Sequence, residues 1–258
     1  MISTEMMEII GPALIVGLMI SLTHAPLGIE VLKRGIVFID LAVAQISGLG
    51  LVAVGAFVYE PSPWLIQVIT LACAILAGLF FRKIETVMPE QQEAIIGVSF
   101  VLAASLTILL LANHPNSGEE IQHLLSGQML FVTWADVATH APIYTGILAV
   151  WFLKPSVRRG IGFYMLFALA ITSSVQLVGV YVVFSSLILP ALAAVHISKK
   201  HTVAWGCGLA AVLSGIAIAM LFDLPAGPVI VVSYVLVSGM FLTCTVRGNR
   251  LEPGRGLP

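Results

Sequence analysis

Long apolar runs, separated by short polar segments, follow one another along almost the whole chain. A helix needs about 20 mostly apolar residues to cross a hydrocarbon core of about 30 Å, and these runs are long enough or nearly so. The pattern therefore predicts an all-α integral membrane protein. The runs predicted to form single spans are Met6–Thr23, Lys33–Val58, Trp64–Phe81, Ala94–Ala112, Ala135–Leu153, Thr202–Phe222 and Val229–Val246.

A further run, Gly160–Ser198, contains no acid and no Lys or Arg. At about 1.5 Å of rise per residue, its roughly 39 residues could cross the membrane twice if the chain turned tightly. Ser173-Ser174 or Gly179 could form that turn. Two crossings here predict a polytopic bundle of nine transmembrane helices, whereas a segment that dips in and returns, or one short span, predicts eight or fewer.

Basic residues predict how the spans are oriented. Lys and Arg cluster at alternate span ends, and the turns between those ends carry acids without Lys or Arg. Because cytoplasmic loops are rich in Lys and Arg, the N-terminus is expected outside and the C-terminus in the cytoplasm. This orientation requires the two crossings within Gly160–Ser198. The chain is thus predicted to be one transmembrane domain, residues 1–246, with a short basic cytoplasmic tail, residues 247–258.

Composition supports a membrane protein and excludes several other classes. The chain of 258 residues is 59% hydrophobic and 10% charged, whereas soluble domains carry roughly 25% charged residues. The N-terminus has acids where a secretory signal has cations, so the first run is expected to be a retained span. Cys73, Cys207 and Cys244 each lie alone in an apolar run, which favours packing residues over a metal cluster. Phosphate-loop, HExxH and GxSxG motifs are absent, and nucleic acid is not an expected partner.

One carboxylate stands inside the second apolar run. A charge at a helix centre costs about 2.5–3.5 kcal/mol on insertion scales, so Asp40 is predicted to face a polar path and to attract a cation. It lies only six residues after Arg34, and a structural acid near the headgroups is the alternative. Gln45 is roughly 140° around a helix from Asp40, and Ser47 is nearer its face. Asp40, Gln45 and Ser47 are the candidates for a transport path, with Asp40 as the candidate metal contact.

Other polar residues are weaker candidates for cation contacts. Asp136 and His140 would share one helix face, a usable pair for a divalent cation, although Asp136 could simply be a first-turn acid. Glu93 could assist Asp40 or act as an interfacial cap. His24 is expected near a cytoplasmic span end. The long polar connection before Ala135 contains EEIQHLLSGQML, a candidate interfacial helix whose possible cation contacts are Glu119, Glu120 and His123.

Four stretches resemble a known family: LKRGIVFIDLAVAQISGLG, EAIIGVSFVLAASLTILLL, EEIQHLLSGQMLFVTWADV and VGVYVVFSSLILPALAAVHIS. In this order and spacing they are similar to the membrane permease subunit of bacterial ABC importers for zinc, manganese or iron. The family usually has a Ser-His pair three and four residues after the Asp, where this chain has Val43 and Ala44. Because imidazole is a favoured ligand of zinc and manganese, this departure leaves the identity of the cargo open.

The resemblance implies a homodimer in the bacterial inner membrane, with its pore at the dimer axis. The chain would hold no cofactor, and two cytoplasmic ATPase subunits would bind ATP and Mg. An extracytoplasmic binding protein would deliver the divalent metal. Coupling to the ATPase is expected through a short helix at residues 190–201, with Pro190, Ala191, Ala194, His196 and Lys199 as candidates.

Two other classes of membrane protein make different predictions about the sequence. A stand-alone secondary transporter of a small ion or solute is the alternative, but it predicts inverted repeats, and none is clear. An integral-membrane enzyme would need a catalytic pair on facing spans, and the sequence shows none. The chain is therefore interpreted as a transport subunit and not as an enzyme.

Overall fold

The computed structural model describes residues 4–111, 125, 127, 129–195, 197 and 199–251. Their regular structure is helical, and the short 3-10 helices are Pro89–Gln91, Met129–Phe131 and Pro155–Arg158. Seven stretches of these residues are long and apolar enough to cross a membrane, so the predicted all-α membrane fold is confirmed. The long helices are α1 (Thr4–Arg34), α2 (Ile39–Phe57), α3 (Pro63–Val87), α4 (Gln92–Leu111), α5 (Trp134–Leu153), α6 (Ile161–Ala193), α7 (Lys200–Phe222) and α8 (Ala226–Leu251).

Helix α1 is much longer than predicted. The pair Lys33-Arg34 forms its last turn and does not open the second span, so the predicted boundary is wrong. The added turns bury apolar side chains, among them Leu27 and Val31, and at their end the Glu30 carboxylate lies 3.4 Å from Lys33 Nζ and 3.3 Å from Arg34 Nε. Pairs three and four residues apart stabilise a helix end. After Gly35, α2 begins at Ile39, which places Asp40 in its first turn.

The chain reverses direction inside α6, at Gly179, whose backbone is not helical (φ 77°, ψ 165°). An unbroken helix would place Phe163 and Leu187 about 36 Å apart. Instead both contact the same end of α1. The Arg34 guanidinium lies 4.1 Å from the Phe163 ring, and a Cβ at Gly28 would lie 1.9 Å from the Leu187 carbonyl oxygen. The two halves of α6 are therefore antiparallel.

This reversal occurs at one of the two turn positions expected from the sequence. A second glycine, Gly127 (φ 62°), packs against it, and a Cβ there would lie 2.1 Å from the Val178 carbonyl carbon. Both backbones are left-handed, a conformation that glycine adopts at little cost. The number of membrane crossings and the orientation of the chain stay predictions.

Arginine side chains gather where α1, α3 and α6 meet. Arg34 Nη1 donates to Glu85 Oε1 (3.1 Å) and Nη2 donates to the Arg158 carbonyl (2.8 Å). Arg82 also pairs with Glu85. We call this region, defined by Arg34, Arg82 and Arg158, the basic end of the bundle. Gly179 lies at the opposite end. The clustering of these cations at one end is what the predicted orientation requires.

Replacing Arg34 is expected to destabilise the bundle far more than replacing its neighbour Lys33. The Arg34 side chain is 14% exposed and joins three elements, whereas the Lys33 side chain is 58% exposed and has one partner. Arg34→Ala should lower the free energy of unfolding by about 1–3 kcal/mol, and Lys33→Ala by less than about 0.5 kcal/mol. Thermal unfolding of the purified chain in detergent measures both. Equal effects would contradict this description of the basic end.

Candidate functional site

Two acids with unpaired oxygens meet near the basic end. Asp40 is 1% exposed, and neither of its carboxylate oxygens makes a hydrogen bond of good geometry to a described residue, although the backbone N–H groups of Asp40 and Leu41 lie close to the carboxylate. Glu93, in the first turn of α4, accepts a hydrogen bond from the Phe38 N–H through Oε1 (3.3 Å), and its Oε2 is buried without a described partner. Glu93 therefore binds the backbone at the start of α2, two residues from Asp40. We call Asp40 and Glu93 the acid pair.

The surroundings of the acid pair offer little to balance two negative charges. The N-terminus of α2 contributes a favourable partial positive charge. However, burying an unpaired carboxylate still costs several kcal/mol. A bound cation, or a proton shared by the two acids, would offset that cost. Either a cation or a proton would therefore be stabilised at the acid pair.

The three transport-path candidates do not come together. Ser47 is buried, and its hydroxyl donates to the Thr70 carbonyl (3.2 Å), so it fastens α2 to α3. Gln45 lies on a different side of α2 and lines a cavity of about 520 Å³, to which Tyr181 and Ser185 also contribute. Asp40 does not line this cavity. Its separation from Gln45 agrees with the angle of roughly 140° expected from helix geometry.

This 520 Å³ cavity is a mainly apolar groove between α2, α4, α8 and the second half of α6. Its lining is almost entirely hydrocarbon, with a few polar groups such as Gln45, Thr107 and Ser185. Tyr181 in its wall is 49% exposed. Neighbouring apolar side chains on α4 and α8 are also strongly exposed: Val98, Val101, Leu109, Val235, Leu236 and Met240.

Asp136 and His140 lie in a second, polar pocket of about 320 Å³, which Gln67 and Gln176 also line. The Asp136 carboxylate accepts from the Thr133 N–H (2.9 Å) and hydroxyl (2.7 Å) through Oδ2, and so caps α5. His140 is 7% exposed, and its Nδ1 lies 2.7 Å from the Ser173 hydroxyl oxygen. Asp136 is thus both the expected first-turn acid and a neighbour of His140. We call this region, close to Gly127 at the opposite end, the polar pocket.

A buried set of polar side chains, missed from the sequence, joins α1, α5 and both halves of α6. His24 Nδ1 lies 2.7 Å from the Ser186 hydroxyl, and His24 Nε2 lies 2.9 Å from the Ser174 hydroxyl. The Tyr144 hydroxyl lies 2.7 Å from Ser174 as well. His24 is fully buried, so its expected place near a span end is wrong. The serine pairs at 173–174 and 185–186, inside an apolar run, were the available sequence signal.

The segment expected to couple to an ATPase joins α6 to α7. In the described part of the chain it forms no separate helix, because α6 reaches Ala193 and α7 begins at Lys200. Ala191 and Ala194 are buried against Ala25 and Ile29 of α1. The exposed side chains here are Leu192, Val195 and Lys199.

Pro190 is buried within α6. The remaining candidates, Glu119, Glu120, His123 and His196, lie outside the described residues, as does most of the expected interfacial helix. In the part of the chain that the structure describes, no group of three or more His, Cys, Asp or Glu side chains is arranged to hold a metal ion. A cation site among the described residues would therefore have at most two ligands of these four residue types.

An all-helical bundle with buried acids and a lateral groove has the architecture of a polytopic transport protein. The model of the ABC 3 transport family matches residues 6–159 and 155–245, so the chain belongs to this family. It is a multi-pass protein of the inner membrane and a transport subunit.

The chain is similar to the high-affinity zinc uptake system membrane protein ZnuB of Haemophilus influenzae. The two are 25% identical over 92% of this chain and 98% of that protein. A Chlamydia trachomatis protein named "Probable metal transport system membrane protein" is 28% identical over 63% of each chain. Among solved structures, PsaBC from Streptococcus pneumoniae in complex with Fab matches 95% of both chains with a TM-score of 0.71 and 19% identity. At that identity the match supports the fold alone.

Proposed function

We propose that this chain is the permease subunit of an ATP-driven importer of divalent metal ions, with zinc or manganese as cargo and iron as a further candidate. Membership of the ABC 3 transport family over residues 6–245 carries the proposal. Two relatives named for zinc uptake and metal transport support the cargo class. The chain contains no phosphate loop, so ATP and Mg would be bound by a separate ATPase subunit.

The acid pair is the proposed cation contact near the cytoplasmic side. Three of its four carboxylate oxygens have no described hydrogen-bond partner. Val43 and Ala44, which replace the Ser-His pair of the family, are buried apolar residues and add no ligand. Carboxylate oxygens without imidazole suit manganese better than zinc. Manganese is therefore the favoured cation at the acid pair.

The groove is the proposed meeting place of two copies of the chain. Apolar walls suit a helix–helix interface within the membrane, and Gln45, Tyr181 and Ser185 would face the second copy across the pore. The exposed Leu192, Val195 and Lys199 at the basic end would contact the ATPase. An extracytoplasmic binding protein would deliver the ion to the opposite end.

Uptake in cells tests this function. A bacterial strain without its own metal importers would express the chain with its neighbouring ATPase and binding protein, and elemental analysis would follow zinc, manganese and iron. One metal should accumulate several-fold above the level in cells that lack only this chain. If no metal accumulates although the chain reaches the membrane, the proposed cargo class is wrong.

A further inference from the structure

We propose that the polar pocket is an entry site for a divalent transition-metal cation, with His140 and Asp136 as its two protein ligands. The site lies at the opposite end of the bundle from the acid pair and is separate from it. Its role in uptake rests on the proposed function. Its ability to bind a cation does not, and can be measured on its own.

Helix geometry brings the two ligands together. Asp136 and His140 are four residues apart on α5, so their side chains lie on one face of the helix. Both line the pocket, and residues of α3 and α6 close it from the other sides. The Gln67 side-chain amide donates to Gln176 Oε1 (3.1 Å), which ties those two helices together across the pocket. The ligands therefore project into a pocket that these two amide side chains also line.

The hydrogen bond on His140 suits a metal ligand. Its Nδ1 lies 2.7 Å from the Ser173 hydroxyl oxygen, inside the bundle. When Nδ1–H donates to Ser173, Nε2 carries the lone pair that a metal would accept. A partner on the other ring nitrogen is the usual arrangement around metal-binding histidines, because it fixes both tautomer and ring orientation. At 7% exposure, this imidazole is buried, and the pocket gives it an open side.

The Asp136 carboxylate is fixed by hydrogen bonds to one of its oxygens, and the other oxygen is left available for a cation. Both of its bonds with Thr133 involve Oδ2, and neither uses Oδ1. Bonds from the N–H and the hydroxyl fix the orientation of the carboxylate at the start of α5. A cation near Oδ1 would meet a preoriented oxygen.

The charge of the pocket and the chemical type of its lining side chains determine which ion it would bind. Neither Lys nor Arg lines the pocket, and Asp136 is the acid among its lining residues, so the pocket attracts cations and repels anions. Imidazole with carboxylate and amide oxygens suits zinc, manganese or iron, whereas magnesium and calcium prefer oxygen ligands alone. Two strong ligands leave the remaining positions to water and amide oxygens. The cation would be held loosely enough to move on, as transport requires.

Direct binding tests the pocket. The full chain, free of any affinity tag, would be placed in lipid nanodiscs and titrated with Co²⁺, whose visible absorption reports nitrogen and oxygen ligation. Zn²⁺ and Mn²⁺ should displace Co²⁺, and Mg²⁺ should not. His140→Gln and Asp136→Asn should each weaken Co²⁺ binding by more than about tenfold, since even outer-shell partners contribute 10–100-fold.

His201→Gln is the matched control. His201 is an exposed histidine at the start of α7, with its ring 5.9 Å from the Trp205 ring, and α7 begins at the basic end, away from the pocket. The His201→Gln variant should bind Co²⁺ with the same affinity as the wild type. Asp136→Asn keeps the oxygen that caps α5, so it serves as the second variant if His140→Gln unfolds. Thermal unfolding of each variant shows which ones are folded.

The outcomes distinguish a failure of the proposed cation site from a failure of the proposed function. If the wild type binds no Co²⁺, or if the folded pocket variants bind it unchanged, the polar pocket is not a cation site. If binding depends on His140 and Asp136 but the wild type imports no metal in cells, the pocket stands and the importer assignment falls.

Discussion

Asp40→Asn should reduce metal uptake by more than about tenfold while leaving the chain at least as stable as the wild type. Asp40 is 1% exposed, and both of its oxygens lack a described partner. Removing an unpaired buried charge often leaves stability unchanged or raises it. A residue retained at a cost in stability is typical of a functional site. The combination of lost uptake with unchanged or higher thermal stability is therefore the diagnostic result.

Measurement of this prediction needs uptake and stability from the same variants. Elemental analysis of cells gives uptake, immunoblotting of membranes gives protein level, and thermal unfolding in detergent gives stability. Ser47→Ala, on the same helix, is the control, because Ser47 makes a structural bond to the Thr70 carbonyl. It should import metal at close to the wild-type rate. Normal uptake by Asp40→Asn, or a large loss of stability, would show that Asp40 is structural.

His24→Leu should lower the free energy of unfolding by about 1–3 kcal/mol. His24 bridges α1 to both halves of α6 through Ser174 and Ser186, and leucine fills similar space without these bonds. The loss stays moderate because each serine hydroxyl has a backbone carbonyl within reach as an acceptor once His24 is gone, at Ala170 and Val183 (2.8 Å each). In the variant, the two antiparallel halves of α6 would no longer be linked through His24, and apolar packing would hold them together around Ser174 and Ser186.

A double-mutant cycle checks this assignment. Ser186→Ala should be destabilising in the wild type, and nearly neutral when His24 is already leucine, because the shared bond is gone. Ser185→Ala is the matched control, since Ser185 donates to the Tyr181 carbonyl and faces the groove. Its effect should be the same in both backgrounds. Additive effects for Ser186 would mean that the His24 bond contributes little.

Most of the helical frame could be predicted from apolar runs alone. Predicted Ala135–Leu153 and observed Trp134–Leu153 differ by one residue, and Thr202–Phe222 and Lys200–Phe222 end together. These helices are bounded by turns or basic residues that coincide with the edge of the apolar run. A run of that length without charges needs a reversal if it crosses twice, and Gly179 is one of the two turn positions that the sequence predicts, the other being Ser173-Ser174.

The first helix shows what hydropathy could not supply. The sequence predicts Lys33 and Arg34 at the start of a span, whereas α1 continues through buried apolar residues such as Leu27 and Val31 and ends at this basic pair. This shift moved Asp40 from the interior of a span to the first turn of α2, and moved His24 from a helix end to the centre of the bundle. Partners of His24 lie 150 and 162 residues away in the chain, a separation that local patterns cannot reveal.

The candidate site was predicted residue by residue but not as an arrangement. Asp40 and Glu93 were both identified as acids, and their proximity follows from the packing of α2 against α4. Gln45 was grouped with Asp40 because they share a helix, although the 520 Å³ groove receives only Gln45. Amino-acid type indicated the chemistry, and tertiary packing decided which side chains meet.

ATP-dependent uptake tests the central proposal most directly. The chain and its ATPase partner would be reconstituted in proteoliposomes, and accumulation of zinc or manganese would be followed with and without ATP. The proposed importer should accumulate metal only with ATP and only when the ATPase retains its phosphate-loop lysine. Equal uptake without the ATPase, driven by an ion gradient, would contradict the proposal and identify a stand-alone secondary transporter.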